Sequence, residues 1–496
     1  MAVVGVATAI GQTVVQDLAQ SFYWHDYETW GADPQRDRAC QFAGVRTDFD
    51  LVEVGEPLVL YCRPAADILP HPDACFVTGI TPQDAEREGL CEAEFAAAIH
   101  SVLSEPGTCG VGYNSMRFDD EVTRNLFYRN LYDPYAREWQ NGNSRWDLID
   151  VLRLAHALRP DGIDWPLHED GSVSFKLEQL TEANGIPHVG AHDALADVRA
   201  TIGMARLLRR VQPKLFDYGL TLRDKRRVRE MLGKRQPLLH ASARYPAALG
   251  CIAPVFPLAS RPGNANGVIA FDLRADPRQL LDLSEDAIRR RLFTPVAELP
   301  EGVDRVPLKT IHVNRSPMLA PMKTLSSDAA ERWGIDPHLV AERSRFLVEH
   351  ATEIQAKVEA VHRPPEASDM RDPDLMIYSG GFLSDRDRRS LDRLRALTPS
   401  ELAEESPRFE DGRLREMLFR YRARNWPETL SPEETEDWDA YRLARLTDPD
   451  AGGSIQIDGY ETRLAELWES EGGDSSKERI LEDLADWAER VLDADL

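Results

Sequence analysis

The chain has no apolar run approaching the roughly 20 residues that a membrane-spanning helix needs, so no membrane partner is expected. Cysteine is also scarce. The six residues Cys40, Cys62, Cys75, Cys91, Cys109 and Cys251 are scattered, with no CxxC pair. That excludes a zinc ribbon or a disulfide framework and fits a reducing, cytoplasmic setting. The apolar stretch Met1–Gly11 lacks a basic leader, so residues 1–21 are read as a flexible extension and not as a signal peptide. No internal repeat or low-complexity tract is present.

Excess positive charge is missing as well: 59 Lys and Arg stand against 84 Asp and Glu, a net charge of −25. The total argues against a nucleic-acid partner, but the distribution matters more. From Glu401 to Leu496 there are 27 acidic and 12 basic residues, a balance of −15. Between Arg209 and Arg235 there are ten basic and three acidic residues, a balance of +7. The acid load is largely C-terminal, and a basic belt crosses the middle of the chain.

At 496 residues the chain calls for two to four domains. Residues 22–210 alternate strand and helix signals. Strands are expected at Phe22 onward, Gln41–Thr47, Pro57–Cys62 and Cys109–Tyr113, with helices at Glu92–Leu103, Asp119–Asn130, Leu148–Leu158, Phe175–Asn184 and Asp193–Leu208. This is an α/β domain on a mixed sheet. Residues 211–365 are rich in Pro, Gly and short strand-like runs and read as largely β with helical excursions, closing at the linker signal Pro364-Pro365. Residues 370–496 are charge-rich and helix-patterned.

Three segments carry the chemistry. In the first strand Asp26 and Glu28 alternate onto one face, where two carboxylates repel each other and resist desolvation; a divalent cation removes both problems. Phe118-Asp119 delivers a third carboxylate at a strand-to-helix turn. His192 and Asp197 open a later helix, with small Ala194 and Ala196 letting it approach the sheet. Hard oxygen ligands suit Mg²⁺ or Mn²⁺. Two such ions ~3.5–4 Å apart stabilise the attacking and leaving oxygens of a phosphodiester displacement. A histidine, with an unperturbed pKa near 6.5, suits deprotonation of the attacking water.

Asp26-x-Glu28-Thr29, Asn114-x-x-x-Phe118-Asp119 and His192-x-x-x-x-Asp197 resemble the three motifs of the DEDD exonucleases, in the branch with a histidine. The longer strings His25–Thr29, Arg117–Asn125, Asn143–Leu148, Ala191–Ala194 and Tyr421–Asn425 resemble the bacterial exonuclease I family, from about Phe22 nearly to the C-terminus. The resemblance implies an RNase-H-like exonuclease domain, an SH3-like β domain and a C-terminal α-helical domain around a groove for single-stranded DNA. It also implies 3′→5′ degradation to 5′-mononucleotides with two Mg²⁺ (Mn²⁺ as substitute), in DNA repair and recombination, by a monomer. Asp26, Glu28 and Asp197 would hold one metal, Asp119 and Asp26 the other, with His192 as general base. Glu28 and Thr29 would meet the terminal nucleotide.

On DNA, Arg124, Tyr135, Trp139, Arg153 and Lys176 match family positions in the first domain, as do Lys225, Asn266, Lys309 and Asn314 further on. They supply the cations and aromatic faces that a strand tracked without sequence preference requires. Trp30 is a candidate wedge against the last base. Arg159 and Tyr218 match the family's pocket for the C-terminal tail of single-stranded-DNA-binding protein, whose further arginine is replaced here by Ser326, with Lys323 and Arg235 as stand-ins. An RNA-trimming or proofreading subunit is disfavoured by the two extra domains. A catalytically idle adaptor is disfavoured by the presence of all five site residues.

Overall fold

In the computed structural model, residues 20–190, 192–364, 372–471 and 473–493 are described. The extension expected over 1–21 lies outside them except for Gln20 and Ser21, and Ser21 already opens the first strand. The linker residue Pro365 also lies outside.

Five strands form the first sheet: β1 (Ser21–Thr29), β2 (Ala39–Thr47), β3 (Leu58–Tyr61), β4 (Thr108–Gly112) and β5 (Ser144–Asp147), in the order β3-β2-β1-β4-β5. β1 is antiparallel to β2 and parallel to β4, so the sheet is mixed, as expected. β5 is absent from the sequence reading. Its Ser-Arg-Trp-Asp string looks too polar for a buried strand, but Trp146 is fully buried and Arg145 is neutralised by Asp120 at 2.6 Å.

Alternation along β1 sets the layers. Phe22 and Trp24 face a core shared with Trp146 and the helix Ala194–Val211, whereas Tyr23 and Tyr27 face Phe42, Phe95 and the helix Asp119–Arg129. Asp26 and Glu28 continue the Phe22/Trp24 face. Pairing of β1 with β4 stops at Trp24, so Asp26 and Glu28 run past the end of their parallel neighbour. Clefts beyond the carboxyl ends of parallel strands are where open α/β sheets place ligands.

A second, wholly antiparallel sheet follows: β6 (Leu238–Ala241), β7 (Ile252–Ser260), β8 (Gly267–Asp272), β9 (Leu308–His312) and β10 (Met318–Pro321), in the order β10-β6-β7-β8-β9. The expectation of a largely β region over 211–365 needs correction. The helices Pro213–Thr221 and Lys225–Gly233 precede the sheet, and Ser327–Arg332, Pro337–Glu349 and Ala351–Val361 follow it. The last two bury Val340, Ser344 and Leu347, then Ile354, Val358 and Val361, at helical spacing that short strand-like runs elsewhere obscured.

The final region is helical, including Asp385–Arg395, Arg413–Asn425 and Ser475–Leu492. It is tied to the first domain by a buried charge cluster. Asp67 accepts from Arg38 at 2.8 Å and Arg424 at 2.9 Å, with Arg445 at 3.4 Å, and Asp374 takes Arg424 at 2.5 Å. Burial alone would raise the Asp67 carboxyl, but Arg38, Arg424 and Arg445 override it and hold it well below the usual range. Asp67→Ala strands several buried guanidinium groups. It should cost about 3–5 kcal/mol in denaturant unfolding, and unchanged stability would contradict the role of the cluster. No helix among the described residues is long and apolar enough to cross a membrane.

Candidate active site

The site forms where β1 overruns β4. Ligand oxygens of Asp26, Glu28 and Asp197 lie within 4.8 Å of one another. Asp26 and Glu28 arrive on the strand. Asp197 arrives on the first turn of Ala194–Val211, a helix capped by the Asp193 side chain, which accepts from Ala196 N–H at 3.0 Å. Gln41, the β2 partner of Glu28 in register, holds that helix start: its Oε1 accepts from Ala194 N–H at 3.1 Å and its Nε2 donates to Asp193 at 3.3 Å.

Asp119 begins its helix one step aside, and its Oδ1 accepts from the Tyr27 N–H at 3.2 Å. The turn before it is held by Asp147, which accepts from Asn114 N–H at 2.9 Å and Met116 N–H at 3.2 Å. The structure therefore brings three of the four predicted acids into one cluster and places the fourth on the backbone of the residue between Asp26 and Glu28.

These carboxylates oppose each other's ionisation. Burial, followed by the charges of Asp119, Glu28 and Asp197, pushes Asp26 well above the usual carboxylate range. Burial, with Asp197, Asp119 and Asp193, pushes Glu28 up to about 8. Asp119 is pushed up to about 7, burial leading and Asp120 and Asp147 adding to it. Asp197 is raised by burial, against the lowering effect of His188 and His192. An all-oxygen donor set of mutually repelling carboxylates fits a hard divalent ion.

A consequence follows for stability. A carboxyl whose folded pKa is raised destabilises the fold progressively as pH climbs from its unfolded value to its folded one. Between about pH 4.5 and 8, Glu28 alone imposes such a loss, and the metal-free protein should melt lower at pH 8 than at pH 6. Added Mg²⁺ or Mn²⁺ should raise the melting temperature more at pH 8 than at pH 6, because at the lower pH the ion must displace protons. A cation effect independent of pH would contradict this.

His192 directly precedes the helix, as expected, but it is exposed and sits in the left-handed region at φ 68°. The imidazole that touches Asp197 belongs to His188, whose Nε2 meets Asp197 Oδ1 at 2.5 Å while Nδ1 lies 3.2 Å from Thr181 Oγ1. Neither His188 nor Gln41 stood out in the sequence. Their signal is purely spatial, since nothing in local spacing marks a histidine nine residues before an aspartate or a glutamine across a sheet. Partners that orient metal-binding carboxylates typically contribute 10- to 100-fold in affinity. His188→Ala should weaken Mn²⁺ binding by about that factor in a calorimetric titration; wild-type affinity would remove His188 from the site.

The predicted DNA-contact residues differ in exposure and partners. Thr29 is buried, and its hydroxyl donates to Gly31 O at 2.7 Å. Arg124 and Arg153 are buried and ion-paired, Arg124 with Glu138 and Glu121 at 2.7 Å each and Arg153 with Asp150 at 2.6 Å. Trp139 is 60% exposed, and Tyr135 packs beneath the Arg124 guanidinium. Lys176 and Lys225 are exposed, and Asn266, Lys309 and Asn314 are half-buried around the second sheet.

Trp30 does not serve as a wedge. It is 2% exposed, packed in the core with Cys40, Leu69 and Cys75, where the chain turns inward just past the end of β1.

Two aromatics absent from the sequence reading stand beside Tyr135: Phe382, 86% exposed and edge-on to its ring, and Tyr378, whose hydroxyl joins Arg124 and Glu121. Arg159 donates to Thr324 O at 3.2 Å and Tyr218 to Leu319 O at 2.7 Å, so both border β10 and the turn after it. Ser326 caps the helix Ser327–Arg332, accepting from Ala329 N–H at 3.2 Å, and Lys323 is exposed nearby. Arg235 is engaged elsewhere, with Leu258 and Gln355.

Comparison with known proteins places this geometry. Residues 23–205 match a family model described as exonuclease, 223–364 the exonuclease I SH3-like domain, and 371–491 the exonuclease I C-terminal domain. The chain is 44% identical over 475 residues to exodeoxyribonuclease I of Escherichia coli (strain K12), covering 95% of this chain and 98% of that protein. The Haemophilus influenzae exodeoxyribonuclease I is 42% identical, with 95% and 99% covered. Among solved structures, a moderately thermophilic exonuclease I from Methylocaldum szegediense superposes with a TM-score of 0.91 at 52% identity, covering 96% of this chain and 100% of that one. The E. coli exonuclease I complex with a dA16 oligonucleotide gives 0.90 at 44%, covering 95% and 100%.

Proposed function

The chain belongs to the bacterial exodeoxyribonuclease I family, and we propose that it degrades single-stranded DNA from the 3′ end, releasing 5′-mononucleotides, in repair and recombination. The observation that carries this reading is the convergence of Asp26, Glu28 and Asp197 within 4.8 Å, with Asp119 beside them. Asp26, Glu28 and Asp197 would hold one divalent ion and Asp119 with Asp26 the other, Mg²⁺ in the cell with Mn²⁺ able to replace it. Such ions would stabilise the negative charge that develops on the attacking and leaving oxygens of the displacement.

The rest is done by the chain itself. His192, exposed at the mouth of the cleft, takes the proton of the attacking water at its imidazole nitrogen. Glu28 and Thr29 fix the terminal nucleotide. Bases stack on exposed Trp139 and on the Tyr135, Tyr378 and Phe382 group, and phosphates follow Lys176, Lys225, Asn266, Lys309 and Asn314. Arg124 and Arg153 act from below, holding the acids and rings that shape the groove. A dA16 complex of the E. coli relative supports this use of single-stranded DNA.

Arg159 and Tyr218, together beside β10, form the pocket for the C-terminal tail of single-stranded-DNA-binding protein, with Lys323 supplying charge where Ser326 cannot. The protein works as a monomer in the cytoplasm, a setting supported by six unpaired, buried cysteines.

End-labelled single-stranded DNA, double-stranded DNA and matched RNA, each with and without EDTA, test the reading. Mononucleotides should appear from single-stranded DNA alone, and EDTA should stop their release. Equal degradation of RNA would make the protein an RNA-trimming enzyme. Binding without turnover in either metal would make it an adaptor.

A further inference from the structure

A cavity of about 290 Å³ lies between the helix Lys225–Gly233 and strands β7 and β8. Its lining holds no aromatic ring and combines aliphatic Leu232, Pro257, Leu258, Val268 and Val313 with polar Ser260 and Gln355. Two guanidinium groups stand in it, Arg229 and Arg235. A second cavity of about 190 Å³ adjoins it and shares Arg235, Leu258 and Gln355.

Neither guanidinium meets a carboxylate among the described residues, although the chain carries a net charge of −25. Arg229 donates through Nη2 to Ala265 O at 3.4 Å and Asn266 Oδ1 at 3.0 Å. Arg235 donates through Nη2 to Leu258 O at 2.7 Å and Gln355 Oε1 at 2.6 Å. On the same segment only Lys234, with Glu230, and Arg226, with Asp224, pair with acids among the described residues. A guanidinium has five N–H donors. With Nη2 anchored to neutral oxygens, each keeps the charge and further donors that would grip a phosphate. Arg235 also holds a left-handed backbone, φ 50°. A non-glycine residue kept there costs on the order of 1–3 kcal/mol and is typical of ligand clamps.

We propose that this cavity receives one nucleotide of the single strand upstream of the scissile end, with Arg229 and Arg235 on its flanking phosphates and the base against the aliphatic wall. The inference rests on the function proposed above and extends its DNA track. Continuity chooses the occupant. Lys225 and Arg229 are one helical turn apart on the same face. Asn266 accepts from Arg229, and its carbonyl accepts from Val313 N–H at 2.8 Å, next to Asn314. Asn266 thus sits between the lining residues Ala265 and Gly267, and Asn314 follows the lining residue Val313. An aliphatic wall hides a base without reading its edges, which suits an enzyme indifferent to sequence.

The test is fluorescence anisotropy with single-stranded oligonucleotides of increasing length, each titrated over a series of salt concentrations. Each phosphate contact on a single strand contributes about 0.7 to the slope of log affinity against log salt. For oligonucleotides long enough to reach the cavity, the R229A/R235A protein should lose about 1.4 from the wild-type slope and lose the affinity gained by lengthening. Equal slopes and equal gains at every length would overturn the proposal. So would an unchanged DNA profile accompanied by lost binding of an acidic peptide with an apolar C-terminus, which would give the cavity to a protein partner. R229Q/R235Q keeps hydrogen bonding to the anchoring oxygens and replaces the alanine variant if that one melts early. Wild-type hydrolysis of the shortest oligonucleotide reports on the nuclease reading separately, since that substrate never reaches the cavity.

Discussion

Asp26→Ala and Asp197→Ala should each reduce cation-dependent release of mononucleotides to the level of buffer, with the fold intact. The argument is electrostatic. Asp26 is pushed far above the ordinary carboxylate range by burial and by three neighbouring acids, so the metal-free site is a store of repulsion. Removing one carboxylate relieves that repulsion. The variant should melt no lower than wild type without metal at pH 8, because the charge repelled by Glu28, Asp119 and Asp197 is gone. With metal the order should reverse, because only wild type gains from cation binding. Loss of activity together with loss of fold would point to a structural role, and full activity in either variant would remove the residue from the metal set.

His192→Ala should lower turnover by about 10² to 10⁴, the usual contribution of a general base. The backbone of His192 is left-handed and its side chain exposed, so the substitution removes no core packing. A base works when deprotonated. Wild-type turnover at saturating metal should therefore rise with pH, and the variant should lose that limb. Saturating metal matters because Glu28, at about 8, and Asp119, at about 7, also ionise in this window and would otherwise imitate the base through metal binding. His188→Ala is the necessary companion. It should move metal affinity and leave the limb in place, whereas an unchanged pH profile in His192→Ala would transfer the role of base away from His192.

The acids were legible in the sequence because strand alternation and helix starts are local rules. Asp26 and Glu28 had to share a face, and Asp119 and Asp197 sit in the first turns of helices as their flanking residues indicated. What supports them was not legible. Gln41 acts across a sheet, His188 through a loop, and Asp147 from the end of a strand that its own composition concealed.

Trp30 shows the converse error. Adjacency in sequence to Glu28 and Thr29 suggested a place on the substrate, but the register shift at Glu28/Thr29 and the core beneath turned the ring inward. Burial likewise separated the arginines. Arg124 reads as a phosphate ligand in sequence, yet in the fold Glu121 and Glu138 claim its guanidinium. In the second domain, Pro and Gly punctuation pointed to strands and hid a helical run whose apolar stripe, Ile354, Val358 and Val361, only packing reveals.

The most direct test of the account is the number of Mn²⁺ ions bound. Calorimetric titration at pH 8 of wild type, with a 3′-terminated single strand in place, should give two ions per chain. Asp26→Asn, which keeps the shape and removes the shared charge, should bind neither tightly. Two ions still bound in Asp26→Asn, or none in wild type, would contradict the claim that acids from three distant segments meet to hold a metal pair.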